Sequence, residues 1–531
     1  MLRTIHMPRV SRRQFQALIK NMPSRITTAP TPTAAAISDT VARHLSTFEP
    51  APPLTVHDLN PSTVTAKYAV RGKIPIIADG LSELIKSKPT SHGLPFNKII
   101  NANIGNPQQL EQRPLTWYRQ VLSTLQYPGL LETDIGFPKD VIERGKTILK
   151  NVGSIGAYSH SQGNGYLRQS IAEFMERRDG YPSNPNNIFL TSGASTAVSY
   201  LLQVLSEDVN SGFLIPIPQY PLYTATIALN NAKPIGYYLD EDNHWSTNPQ
   251  EIRGLIKESQ EQGIKIKALV VINPGNPTGS ILSPQDMIEL IDIAAEFGIV
   301  LIADEVYQEN IFKGKFISFK RILCELREQE PKTYEHVQLA SLHSTSKGVS
   351  GECGQRGGYM ELVGFPTEVK DVIFKLASIN LCSVVSGQAL MELMINPPKE
   401  GDESYELYKA ETKAIHNDLE IRADLLYKAF LEMECIECNK SMGAMYLFPR
   451  LNFPEDKFHK LFSRAHNSGL EIDDVYCIEL LEHTGICCVP GNGFGQKPGT
   501  WHLRTTFLPP GEEWIHKWTE FHEGFIKKYK D

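Results

Sequence analysis

The run HSTSKGVSGECGQRGGY, His343 to Tyr359, sets one lysine, Lys347, among hydroxyls and glycines, with Arg356 after it. Lys347 has little apolar surface nearby on which to lay its stem and no acidic residue beside it, so its amine is available for chemistry. A lysine nitrogen can bond a carbonyl carbon or act as a base, provided it is brought out of the ammonium form that prevails at neutral pH. Other chemistry-bearing groups stand in Thr191-Ser192-Gly193-Ala194-Ser195, Pro218-Gln219-Tyr220, NPGNPTG (Asn273 to Gly279), ADEVY (Asp304, Glu305, Tyr307) and WHLRTTF (Arg504). Each has an ordinary explanation: a helix cap, a turn set by Pro and Gly, a core ring, a surface charge. Together they offer small residues opening a helix, an aromatic ring, an amide, a carboxylate, a phenol and an amine.

The elements that must position them follow from hydrophobic rhythm. Short β-branched or apolar runs alternate with helix-length amphipathic segments: Ile188 to Leu190 before Ala197 to Leu205, Gly212 to Ile217, Ile266 to Ile272 before Pro284 to Phe297. Ile299 to Ala303, Val337 to Leu342, and Gly358 to Val363 before Val369 to Leu376 continue it. This alternation predicts an α/β domain with a mostly parallel sheet. Ligands of such sheets bind beyond the carboxyl ends of the strands, and every group named above except Arg504 follows a predicted strand. Near Asn396 the rhythm changes. A charged helix from about Glu403 to Met433 leads to a region with strand-like Ala444 to Phe448, Cys487 to Val489 and His502 to Phe507, read as a smaller α+β domain.

Bulk properties narrow the function classes. The chain has 531 residues, 41% apolar and 21% charged, with net charge -7: the size of a multidomain globular protein. Slight acidity argues against nucleic acid as partner. No apolar run approaches the roughly 20 residues of a membrane helix. Eight cysteines read as reduced thiols, since Cys435 and Cys438 have no second pair at zinc spacing; no metal site is expected. The first 38 residues carry Arg3, Arg9, Arg12, Arg13, Lys20 and Arg25 and no acid, the pattern of an organellar transit peptide. The alternative is a disordered basic arm, and Met7 and Met22 offer later starts for a cytoplasmic form.

The ordered motifs NPGNPTG, ADEVY and S-x-S-K with an arginine before G-G resemble those of fold-type I aminotransferases of the aspartate aminotransferase superfamily. AYSHSQGNGYLRQSIAEFMERRDGYP, FLTSGAST, INANIGNP and HSTSKGVSGECGQRGGYMEL are most similar to the alanine-using branch, and the resemblance runs from about Asn101 to the C-terminus. It implies a pyridoxal 5'-phosphate (PLP) cofactor and a homodimer acting on small amino acids and 2-oxo acids. By this resemblance Lys347 bonds the cofactor's aldehyde and shuttles the proton, and Asp304 faces the pyridine nitrogen. Asn276 and Tyr307 reach the phenolic oxygen, with Asn273 a rival amide, and Tyr220 stacks on the ring. Ala194, Ser195, Ser344 and Arg356 hold the phosphate, while Tyr158 reaches the phosphate of the other subunit. Arg504 binds the substrate α-carboxylate and Gly105 closes over it.

The implied reaction moves the amino group of L-alanine to 2-oxoglutarate in a mitochondrial matrix enzyme. The alternatives are a glyoxylate-using or aromatic transaminase or a PLP-dependent synthase; a transcription regulator would need a DNA-binding module that the proline-bearing leader does not offer. The expected organisation is a leader over 1–45, an arm and part of the small domain over 46–115, a large cofactor-binding domain over 116–395 and the small domain over 396–531.

Overall fold

The computed structural model describes residues 54–66 and 72–531; the leader expected over the first 45 residues lies outside the described residues. The chain divides into two units, Met1–Leu59 and Asn60–Asp531. Of the first, the described part holds a single 3-10 turn, Val56–Asp58.

A short strand, β1 (Ile100–Asn101), precedes seven that form one sheet: β2 (Ile188–Thr191), β3 (Ser211–Ile217), β4 (Lys233–Tyr238), β5 (Lys265–Ile272), β6 (Val300–Asp304), β7 (Leu339–Ser344) and β8 (Gly358–Val363). Their order is β2-β8-β7-β6-β5-β3-β4. All neighbours are parallel except β8, which runs antiparallel to β2 and β7. The run Ala268 to Ile272 is apolar throughout because both faces are covered. Ala268, Val270 and Ile272 pack with Ala197, Leu201 and Ile373 of the helices Ala194–Leu205 and Thr367–Ile379. Leu269 and Val271, pointing the other way, pack with Ile256, Leu290 and Ile291 of the helices Pro249–Glu261 and Pro284–Phe297. The second of these is delimited by local chemistry. Ser283 and Asp286 form a capping box, Pro284 takes the first turn, and Gly298 ends it at φ 64°.

The sequence rhythm did not show β4. Its KPIGYY pattern holds Pro234 and Gly236, which weaken a strand reading, but at a sheet edge proline costs no ladder bond. The antiparallel sense of β8 was equally invisible, since it depends on how the loop after β7 doubles back.

The remaining strands are β9 (Ile436–Glu437), β10 (Tyr446–Leu447), β11 (Arg450–Leu451), β12 (Ile486–Cys487), β13 (Val489–Pro490) and β14 (Leu503–Thr506). They follow the 28-residue helix Tyr405–Glu432. β14 lies between β10 and β13, antiparallel to both. Trp518, Tyr476, Phe430 and Phe525 fill a core beneath them. β1 pairs in parallel with β12, Ile100 opposite Ile486, so the segment just before Gly105 is tied to the C-terminal part. Among the described residues no helix is long and apolar enough to cross a membrane.

One buried ion pair braces the sheet. Lys320, on the helix Phe319–Gln329, lies 3.1 Å from Glu361 of β8, with both side chains almost fully buried. Lys320→Met strands the carboxylate in the interior, so a loss of about 3–5 kcal/mol in unfolding free energy is expected. Denaturant titration should show it, and Lys320→Met combined with Glu361→Leu should recover more than half.

Candidate active site

The loop after β7 is folded by its own backbone: Thr345 N–H donates to Gly357 O (3.1 Å) and Glu352 N–H to Thr345 O (2.9 Å). Gly348, at φ 68°, donates its N–H to Asn310 Oδ1 at 2.7 Å. This fixes Lys347, whose Nζ donates to Gly105 O at 2.6 Å and stands 5.8 Å from the centre of the Tyr307 ring. Its close partners are thus a neutral carbonyl and an aromatic face.

Asp304 ends β6 and is buried. Tyr223 Oη donates to its Oδ2 at 2.8 Å, and Val306 N–H to its Oδ1 at 3.4 Å. Burial pushes its carboxyl up to about 6, against the opposing effects of these two hydrogen bonds and the Lys347 charge. A buried carboxylate with no cation in contact suits a protonated ring nitrogen. Glu305, on the opposite face of the chain, accepts from Phe319 N–H (2.8 Å) and Ser341 Oγ (2.6 Å). Burial pushes it to about 7, and its role is to tie a helix to the sheet.

A second set of groups surrounds the start of the helix Ala194–Leu205. Gly193 precedes it at φ 81°, and no side chain caps its first amides. Arg356, itself in the left-handed region at φ 57°, donates to Ser195 Oγ (3.2 Å), Ser346 Oγ (3.5 Å), Ser192 O (3.0 Å) and Cys353 O (3.0 Å). A Cβ at position 193 would lie 2.2 Å from the Arg356 guanidinium. Glycine is what lets the cation reach the helix end. Hydroxyls, a guanidinium and free helix-start amides are the donor set for a phosphate dianion. Ser344 lines the same cleft and accepts from Ser346 N–H at 3.4 Å.

Arg504, on β14, is 1% exposed. Its Nη1 donates to Asn276 Oδ1 at 3.1 Å and its Nη2 to Asn103 O. Its Cζ lies 4.3 Å from the Tyr446 ring centre and 4.5 Å from that of Phe494. Among the described residues no carboxylate pairs with it, and its Nε has no partner. A guanidinium clamped between rings, with its charge uncompensated, is prepared for an incoming carboxylate. Asn276 Nδ2 also donates to Tyr307 Oη at 3.2 Å. Asn273 does not compete for this place: its amide oxygen accepts from Leu282 N–H at 3.0 Å and serves the turn.

These groups meet in a cleft of about 380 Å³, which Gly105, Ala194, Ser195, Tyr220, Tyr307 and Ser344 also line. The residues chosen from sequence are thus brought together, save Tyr158, which is 79% exposed and outside the cleft. Tyr223, Tyr446, Phe494 and Cys353 were missed. Tyr223 had a signal, since it follows Tyr220 by one helical step in QYPLY. Tyr446 sits in the apolar run MYLF and had none.

Residues 121–513 match the family profile "Aminotransferase class I and II". The chain is 56% identical over 494 residues to "Alanine aminotransferase, mitochondrial" of Saccharomyces cerevisiae, covering 91% of this chain and 82% of that one. It is 52% identical to the "Inactive alanine aminotransferase" of the same yeast, covering 91% and 96%. Among solved structures, an alanine aminotransferase from Pyrococcus furiosus superposes with a TM-score of 0.68 at 25% identity, over 88% of this chain and all of that one.

The raised Asp304 carboxyl has a stability consequence. The folded state, at about 6, holds the proton more tightly than the unfolded chain at 3.8, so the contribution to stability is full below pH 4 and is lost as pH rises through 6. In ligand-free protein, wild type should therefore lose about 2 kcal/mol relative to Asp304→Asn between pH 4.5 and 7.5. Urea unfolding of both at the two pH values measures it.

Proposed function

We propose, given that this chain belongs to the class I and II aminotransferases, that it uses pyridoxal 5'-phosphate to transfer the amino group of L-alanine to 2-oxoglutarate, giving pyruvate and L-glutamate. The observation that carries the reading is the convergence in one cleft of Lys347, Asp304, the Arg356 cradle and the uncompensated Arg504. One relative with similar identity is named inactive, so family membership alone does not supply activity, and the reading rests on the groups gathered in the cleft. The named relatives favour alanine over a glyoxylate-using transaminase or a synthase.

When bound, pyridoxal phosphate supplies an electron-poor ring that accepts the negative charge left as the substrate Cα loses its proton. Arg356, Ser195, Ser344 and the amides at Ala194 and Ser195 would hold its phosphate, Tyr220 would cover its ring, and Asn276 and Tyr307 would meet its phenolic oxygen. Asp304 would keep a proton on the ring nitrogen, and Tyr223, which donates to it, keeps the Asp304 carboxylate aimed. Lys347 Nζ would hold the aldehyde carbon and, once the substrate amine has displaced it, would take the proton from the substrate Cα as the base. Arg504 binds the substrate α-carboxylate, and Gly105, whose carbonyl steadies Lys347, closes over it. Exposed Tyr158 is assigned to the phosphate site of a second copy, making the working unit a homodimer. The acid-free basic leader, together with relatives named mitochondrial, supports the mitochondrial matrix as destination; a start at Met7 or Met22 would give a cytoplasmic form.

Lys347→Ala is expected to lower kcat for alanine and 2-oxoglutarate by about 10⁴-fold or more in steady-state assays of purified protein; wild-type turnover in that variant would overturn the reading. Borohydride reduction followed by peptide mapping should place a pyridoxyl group on Lys347. Arg504→Lys, which loses the bidentate fork, should raise KM for alanine and 2-oxoglutarate alike by about 10- to 100-fold.

A further inference from the structure

Hydrogen-bond accounting around Tyr446 leaves one proton unspent. Tyr446, on β10, is buried. Its oxygen accepts from Tyr307 Oη at 3.3 Å, and that oxygen in turn accepts from Asn276 Nδ2. In the cofactor-free chain donation therefore runs toward Tyr446, whose own O–H has no acceptor among the described residues. A hydroxyl carries one donor as well as its lone pairs, and a buried donor without an acceptor is costly. The charged groups around it are themselves donors: the Lys347 ammonium and the Arg504 guanidinium that lies over its ring. The backbone of Gly105 is packed so tightly that a Cβ there would stand 2.1 Å from the hydroxyl, but the carbonyl of Gly105 is occupied by Lys347 at 2.6 Å. Arg504 Nε is likewise buried without a partner. A phenol proton and a guanidinium N–H, both unspent in one cleft, call for an anion with two oxygens.

We propose that the Tyr446 hydroxyl donates a hydrogen bond to the substrate carboxylate that Arg504 binds, which makes it a substrate-binding residue for the amino acids and the 2-oxo acids alike. The inference rests on the function proposed above and adds a donor to it. The charged and titratable groups facing the phenol are Lys347, Arg504, Tyr307 and Cys353. Burial alone would raise the phenol, but the two cations and the hydrogen bond from Tyr307 bring it below its ordinary value, while Cys353 opposes them. Ionisation of Tyr446 would remove the donor and set a negative charge beside the carboxylate, so carboxylate affinity should fall at alkaline pH.

Two variants of the cofactor-loaded enzyme separate this role from packing. Tyr446→Phe keeps the ring over Arg504 and loses only the O–H; Tyr446→Leu loses both. The probe is propionate, the alanine skeleton without its amine, with affinity measured by competition against alanine from pH 7 to 10. Tyr446→Phe should weaken propionate by about 10-fold or more and abolish the alkaline fall in affinity that wild type shows. Binding of ethylamine, which lacks the carboxylate, should not change. Wild-type propionate affinity in Tyr446→Phe, with impairment confined to Tyr446→Leu, would reduce Tyr446 to a packing partner of Arg504. Equal weakening of propionate and ethylamine would also overturn the proposal. Should wild type itself neither transaminate alanine nor bind propionate, the proposed function falls instead.

Discussion

Two buried charges of opposite sign, the Asp304 carboxylate and the Arg504 guanidinium, lie in one cleft without an ion-pair partner among the described residues. Burying an unpaired charge is expensive, and much of the surrounding structure offsets that expense. Tyr223 and the Val306 amide donate to Asp304; Tyr446, Phe494, Asn276 and Asn103 surround Arg504. Elsewhere some buried charges are paired directly, as Lys320 with Glu361 and Arg178 with Asp179, while Glu305 is held by hydrogen bonds alone. In the cleft the two charges that lack a counterion stand where a ligand can provide one.

Close approach is the second constraint. Gly193 admits the Arg356 guanidinium to a helix start, and Gly105 admits the Tyr446 hydroxyl beside Lys347. These glycines join groups from distant parts of the chain: residues before the large sheet, the loops at its carboxyl edge, and the strands after the long helix. The pairing of β1 with β12 carries Gly105 to its place, so the lysine's acceptor depends on a contact made nearly four hundred residues downstream. A cleft assembled this way buries Asp304 and Arg504, and burial is what gives their charges their leverage on substrate and cofactor.

Lys347, Asp304, Asn276 and Arg356 were legible because each stands in a polar motif directly after or near a strand whose apolar pattern is local. Their shared location at one edge of a parallel sheet is a topological rule, available before any coordinates. Tyr446 and Phe494 were not legible. Each lies among apolar or glycine neighbours, and its significance comes from facing Arg504, a contact fixed by the pairing of β10, β13 and β14. The edge strand β4 was hidden by Pro234 and Gly236, and the reversed sense of β8 by a loop path that no periodicity encodes.

The amino-acid sequence determined the alternation of strands and helices, the type of sheet, and the residues able to carry amine and carboxylate chemistry, since these depend on side-chain type and short-range spacing. Tertiary structure alone decided which amide meets Tyr307, that Arg504 is left without a counterion, and that the proton of Tyr446 has no acceptor. Those facts are differences between partners present and partners missing in space, and a charge or a hydroxyl acquires its partners only when remote segments are packed against it.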